Sequence, residues 1–102
     1  MNIVSLIAQV IIRDFSPQKV ILFGSYAHGE PSDDSDIDLL IIKKTDISPV
    51  ERWMQVKRLL RDLRLTVPVS PLVYTEEEIR ERLDLHDFFI EEILQNGVIL
   101  YG

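Results

Sequence analysis

Cysteine is missing from this chain, which excludes a disulfide framework, a thiolate nucleophile and any zinc or iron–sulfur site that needs Cys. The absence fits a reducing, cytoplasmic setting. Long apolar runs are missing too, since none approaches the ~18 residues of a membrane span. The apolar start MNIVSLIAQVII is interrupted by Ser5 and Gln9 and has neither a basic leader region nor a small-residue cleavage site, so it does not read as a signal peptide. The expectation is a soluble intracellular protein with no membrane partner. Positive charge is scarce, 11 Lys and Arg against 17 Asp and Glu, and the resulting net charge of -6 repels polyanions. Direct nucleic-acid binding is not expected. With 102 residues there is room for one domain, expected to span residues 1–102, and none for a second.

The order of what is present predicts the elements. Ile3, Val4, Ile7, Ala8, Ile11, Ile12 and Phe15 recur every three or four residues, which predicts an amphipathic helix stopped by Ser16-Pro17. Lys19–Phe23 (KVILF) is too short for helical periodicity and predicts a buried strand. Ile37–Ile42 (IDLLII) predicts a second strand, apolar enough to be covered on both faces. Val50 to Leu65 predicts a helix with Trp53, Val56, Leu59, Leu60 and Leu63 inward. Its outer side is basic, with Lys57, Arg61 and Arg64 flanked by Arg52 and Arg58. Val67–Tyr74 predicts a third strand whose two prolines place it near an edge or at a bulge. Thr75 and Glu78 make a capping box for a helix to about Leu83, and Asp84 reads as a fresh cap. Asp87 to Gln95 reads as a helix with Phe88, Phe89, Ile93 and Leu94 inward. Asn96-Gly97 stops it, and Val98–Tyr101 is a terminal strand. The expected architecture is α/β, a short mixed sheet of three to four strands flanked by helices.

Between Val20 and Ile42 no Lys or Arg occurs, yet Glu30, Asp33, Asp34, Asp36 and Asp38 fall within nine residues. Asp36 and Asp38, two apart at the head of a strand, leave the same face with alpha carbons about 6 to 7 Å apart. Like charges so placed destabilise each other. A hard divalent ion resolves the conflict, because Mg²⁺ takes carboxylate oxygens together with the phosphates of a bound nucleotide. Asp33 and Asp34 are accounted for as solvated members of an Asx-rich turn, Ser32 to Ser35. Asp36 and Asp38 alternate with apolar residues of a core strand and are not.

Three competing motifs fail on their letters. Asp34, Asp36 and Asp38 imitate an EF-hand loop, but Leu39 stands where glycine is needed and Thr45 where glutamate is. His28-x-Glu30 imitates a zinc deaminase box without any cysteine to complete it. The turn Gly24 to Gly29 lacks the Gly-Lys-Ser/Thr of a Walker loop. What remains is Gly24 directly after a strand, where a missing Cβ lets backbone approach a ligand, and Ser25 with a hydroxyl and an N–H at a helical turn. Alone, that pair reads as an N-cap before anything else. Asp-x-Asp follows Ser25 by eleven residues on the next strand, and so short a connection lays the strands side by side. Anion cradle and metal pair would then face each other.

The stretch Gly24-Ser25-Tyr26-Ala27-His28-Gly29 … Asp34-Ser35-Asp36-Ile37-Asp38-Leu39-Leu40-Ile41 resembles the signature of the DNA polymerase beta-like nucleotidyltransferase superfamily: Gly-Ser, about ten residues, Asp-x-Asp. It is most similar to the minimal nucleotidyltransferases (MNT). The likeness extends to the Tyr-Thr-x-Glu-Glu run after the third strand and the Gly-Val-Ile-Leu-Tyr ending. It implies a single nucleotidyltransferase domain in which Gly24 and Ser25 bind the triphosphate of ATP and Asp36 and Asp38 are the catalytic ligands of two Mg²⁺ ions. A hydroxyl would attack the α-phosphorus in line and release pyrophosphate. A third carboxylate is usual on the third strand, and here Ser70 falls at that position. Serine is neither a base near neutral pH nor an anionic ligand, so the two-metal site is expected to be incomplete. Turnover is expected to be weak or lost, since a general base typically contributes about 10² to 10⁴ in rate. Glu30, Asp33 or Asp34 could substitute from the loop, and His28 stands where the family often carries a basic residue.

The resemblance also implies a partner. MNT proteins resemble the antitoxin half of toxin–antitoxin pairs whose other subunit is a helical HEPN ribonuclease, silenced by AMPylation of a tyrosine. AMP transfer from ATP to a HEPN toxin partner is therefore the leading expectation. Two alternatives stay open: a catalytically impaired nucleotide-binding antitoxin that masks its toxin, and a small-molecule nucleotidyltransferase whose acceptor pocket needs another subunit. Exposed sheet edges and the apolar ending VILYG suit a homodimer and a heteromer equally. The basic side of the second helix reads as a solvated face, and Trp53, Tyr74, Phe88 and Phe89 as core.

Overall fold

The computed structural model describes residues 2–102, and Asn2 accepts the Ser5 N–H (2.8 Å), which caps helix α1 (Ile3–Phe15). The helix ends where Ser16 turns left-handed before Pro17, and Lys43 closes that end by donating to the Phe15 carbonyl. Strands β1 (Lys19–Phe23) and β2 (Ile37–Ile42) pair antiparallel. Helix α2 (Pro49–Arg61) carries the chain to β3 (Val69–Tyr74), which lies parallel to β2. After α3 (Glu76–Asp84) and α4 (Phe88–Asn96), β4 (Val98–Tyr101) joins the far side of β1 antiparallel. The order across this four-stranded mixed sheet is β3-β2-β1-β4, as the α/β reading expects.

Helices α1 and α2 pack on one face, over Val20, Leu22, Ile37, Leu39 and Ile41. The residues between them, Ile21, Leu40 and Ile42, meet Ile79 of α3 and Ile90 and Ile93 of α4 on the other. Burial on both sides is why β2 reads as a continuous apolar run. Because side chains alternate, Asp36 and Asp38 fall in line with Leu40 and Ile42, on the α3/α4 side. No helix among the described residues is long and apolar enough to cross a membrane.

The edge position of β3 follows from its prolines. Pro68 and Tyr74 carbonyls accept from Ile37 of β2 and from Lys43 just beyond its end, so by alternation the polar groups of Val69, Pro71 and Val73 face outward. Pro71 has no N–H to offer there. The Val69 carbonyl accepts from Lys57 Nζ (3.1 Å) and the Val73 carbonyl from Arg52 (3.5 Å). The outer rim of β3 is thus occupied by the protein's own groups.

Arg52 departs from the sequence reading, which placed it on the outer basic side of α2. It is 5% exposed. Its Nε donates to the Ile47 carbonyl (2.7 Å) and a terminal nitrogen to Glu78 Oε1 (2.6 Å), so one guanidinium ties the entry of α2 to β3 and α3. Trp53, expected inward, is 46% exposed, with Lys57 Nζ 5.6 Å from its ring centre. Helix α2 stops at Arg61 rather than Leu65, because the chain folds back through Arg64 (φ 50) to reach β3. Asp84 is the last residue of α3 and not a cap; Asp87 caps α4 by accepting from the N–H groups of Phe89 and Ile90. Phe88 (78% exposed) and Phe89 (54%) face solvent and Leu94 is partly exposed, while Ile90 and Ile93 are buried.

Burial by itself pushes the Glu78 carboxyl up, but hydrogen bonds from the Thr75 N–H and the Arg52 guanidinium, with the guanidinium's charge, outweigh it and hold the group below its ordinary range. A native pKa below the unfolded one adds stability above the unfolded value, lost as pH falls through the native value. Glu78→Gln is therefore expected to be less stable than wild type at neutral pH and to converge with it below about pH 4, read by urea unfolding across pH. Arg52→Met is expected to cost about 2–4 kcal/mol at neutral pH, because it strands Glu78 and the Val73 carbonyl.

Candidate active site

The acidic pair lies at the end of the sheet where β1 runs out and β2 begins. Phe23, the last residue of β1, is paired with Asp38. The next residue, Gly24, has φ +75, and a Cβ there would overlap Asp38 Oδ2. Glycine is required twice over, by the dihedral and by the carboxylate pressed against it. One helical turn follows, in which the N–H groups of Ala27 and His28 donate to the Gly24 carbonyl (3.0 and 3.3 Å) and that of Glu30 to the Ser25 carbonyl (3.1 Å). Tyr26 and Ala27 anchor it against the α1/α2 core. The N–H groups of Ser25 and Tyr26, at its start, have no backbone acceptor among the described residues, the condition that suits an anion.

Asp36 and Asp38 are half-buried, and neither has a Lys, Arg or His within ion-pair distance among the described residues. Burial first, and the Asp36 charge second, push the Asp38 carboxyl above its ordinary range. Parallel pairing sets Ser70 opposite Asp38, and Ser70 Oγ donates to Asp36 Oδ2 (2.8 Å). Gly24, Asp36, Asp38 and Ser70 are thus brought together, with Ser25 beside them on the turn. Two carboxylates and a hydroxyl, all hard oxygens with no cation to balance them, fit Mg²⁺ whose other positions phosphate and water complete. A third anionic ligand is missing, because no three His, Asp or Glu side chains gather into a metal-binding group among the described residues.

The loop acids do not make up the deficit. Glu30, Asp33 and Asp34 are exposed and do not join the pair. Their turn is closed by serines rather than by an Asx side chain: Ser35 Oγ accepts from the Ser32 N–H (2.8 Å) and the Ser35 N–H donates to the Ser32 carbonyl (3.0 Å). Sequence reasoning missed the α4 wall of the site. A cavity of about 200 Å³ beside Gly24 is lined by Phe23, His28, Phe89, Glu92 and Asn96, with Phe89 edge-on to Phe23 at 5.6 Å between ring centres. The available signal was spacing. Phe89, Glu92 and Asn96 at i, i+3 and i+7 share one helical stripe, and a stripe two-thirds polar is not a core face.

Known proteins are similar to this chain. The family described as Polymerase beta, Nucleotidyltransferase matches residues 6–102. Two proteins of Methanocaldococcus jannaschii, each named "putative protein adenylyltransferase", are similar to the chain. One is 34% identical over 84 residues, covering 82% of this chain and 78% of the relative; the other is 33% identical over 81 residues, covering 78% and 75%. A crystal structure described as a "putative nucleotidyltransferase" from Sulfolobus solfataricus superposes with a TM-score of 0.62 at 22% identity, covering 97% of this chain and 77% of that one, which shows a common fold.

Two substitutions test the geometry without any ligand. Gly24→Ala is expected to destabilise by about 1–3 kcal/mol, through the positive φ and the clash with Asp38. Asp38→Asn removes an uncompensated charge and is expected to raise the ligand-free melting temperature by roughly 1 to 5 °C, the equivalent of ~0.2–1 kcal/mol of like-charge repulsion. Thermal unfolding measures both.

Proposed function

Because the chain belongs to the Polymerase beta nucleotidyltransferase family, we propose that this nucleotidyltransferase is an MNT-type protein adenylyltransferase that moves AMP from ATP to a hydroxyl of a protein partner. The observation that carries the reading is the Asp36–Asp38 pair, uncompensated among the described residues, with Asp38 set against the backbone of Gly24. Mg²⁺ bound there would supply neutralisation of phosphate charge and stabilisation of the entering and leaving oxygens.

The chain's own part is placement. Gly24 keeps the turn close to the carboxylates, and the free N–H groups of Ser25 and Tyr26 offer donors to the triphosphate. The cavity beside Gly24, with the exposed Phe89 ring and the Asn96 amide, would receive the base. In the transfer the acceptor oxygen bonds to the α-phosphorus while the bond to the pyrophosphate oxygen breaks, and the acceptor's proton has to leave. With Ser70 where a carboxylate would accept it, that proton passes to water, so turnover is slow. The acceptor we assign is a tyrosine of a HEPN-type toxin, the chain acting as antitoxin. This rests on the MNT-like signature and on the naming of both archaeal relatives as protein adenylyltransferases.

The Ser70–Asp36 hydrogen bond favours a second reading. A carboxylate engaged by a neutral hydroxyl can still bind Mg²⁺–ATP while supporting no turnover, and the protein would then silence its partner by covering it. Intact-mass measurement of the partner after incubation with ATP and Mg²⁺ separates the two. A gain of one AMP or more, abolished by Asp36→Asn, is expected. An unmodified partner that the Asp36→Asn, Asp38→Asn double variant silences equally well would establish masking instead. Ser70→Asp is expected to raise transfer by about 10²-fold or more and to lower the melting temperature until Mg²⁺ is added, since it crowds a third anion against Asp36.

A further inference from the structure

Lys57, Arg61 and Arg64 line a cavity of about 360 Å³ with Leu65, Pro68 and Val69, and no acidic residue forms any of its wall. Arg61 and Arg64 are exposed and have no carboxylate within ion-pair distance among the described residues. Arg61 complements the C-terminal dipole of α2. Lys57 donates to the Val69 carbonyl in the cavity wall, but neither role accounts for Arg64, which turns back beyond the helix end at φ 50 to line the same hollow. On a chain of net charge -6, so concentrated a cationic hollow attracts anions from solution.

Its position gives it a use. Val69, in the cavity wall, directly precedes Ser70, which bonds Asp36. The two side chains leave opposite faces of β3, so the hollow is not the triphosphate's own pocket. It lies on the α1/α2 side of the sheet at the β3 edge, next along the strand from the residue that stands opposite Asp38. We propose that this hollow docks an acidic segment of the polypeptide carrying the acceptor hydroxyl, an inference that rests on the protein-adenylyltransferase reading. Its walls combine cations with Leu65 and Pro68, which suits a carboxylate-rich peptide. They contain no aromatic ring on which a nucleobase could stack, which disfavours single-stranded RNA.

Calorimetric titration with hexaglutamate, run in parallel with Mg²⁺–ATP, tests the proposal. The wild-type chain is expected to bind the peptide. Arg61→Ala with Arg64→Ala should weaken it about tenfold or more, as should raising salt from about 0.05 to about 0.3 M, while ATP affinity changes less than about twofold. Absence of peptide binding by wild type, equal binding by the double variant, or tighter binding of dodecauridylate than of hexaglutamate at the same salt overturns it. If wild type takes up the peptide in this charge-dependent way but no ATP, the docking surface stands and the nucleotide reading alone fails.

Discussion

Asp38 is held partly out of water, against the backbone of Gly24, with a second carboxylate on the same side of the strand and, among the described residues, no cation within ion-pair distance of either. Each condition raises the energy of the ligand-free protein, and each would be relieved by a divalent ion carrying phosphates. The apolar remainder of β2, covered on both faces, supplies the stability that lets its first residues be so unfavourable. Functional sites commonly store strain of this kind. The glycine, the turn it starts and the antiparallel pairing of β1 with β2 are all needed to keep that charge where it is.

Most elements were legible because apolar periodicity reports burial, and burial here is simple. β1, β2 and β4 occur where short apolar runs placed them, the Thr75–Glu78 capping box forms, and the prolines of β3 identify an edge. The inward face of α2 was less legible. A helical stripe has blurred margins, and Arg52 takes an inward place beside Val56 only because Ile47, Val73 and Glu78 converge on it from three other segments. The aromatic rings of α4 misled for a related reason: a helix lying at the margin of a sheet buries two isoleucines and leaves Phe88 and Phe89 to solvent. In the sequence Asp84 reads as the cap and Asp87 as part of the helix, but reach decides otherwise, since Asp87 meets the N–H groups of Phe89 and Ile90. At the site, spacing was enough to bring Gly24 and Ser25 beside Asp36 and Asp38, while Ser70 was placed there by the resemblance to the nucleotidyltransferases and not by spacing. The contact between Gly24 and Asp38, and the α4 wall, exist only once the strands are folded together.

Ser70 moderates the same electrostatic problem. A hydroxyl donating to Asp36 lowers the anionic density at the sheet end and spares the fold a third mutually repelling charge. On the proposed reading, the transfer forgoes a proton acceptor and an ionic ligand in exchange. Stability without ligand and speed with it thus pull in opposite directions at one position of β3.

The rim of β3 also governs how this molecule can meet others. A foreign strand seeking to lengthen the sheet there would find no amide hydrogen at Pro71 and would have to evict a lysine and an arginine from the carbonyls of Val69 and Val73. Stacking into filaments needs two open ends, and one of these is plugged. Growth by strand addition is left a single port, at β4, and a sheet with one port ends at a pair.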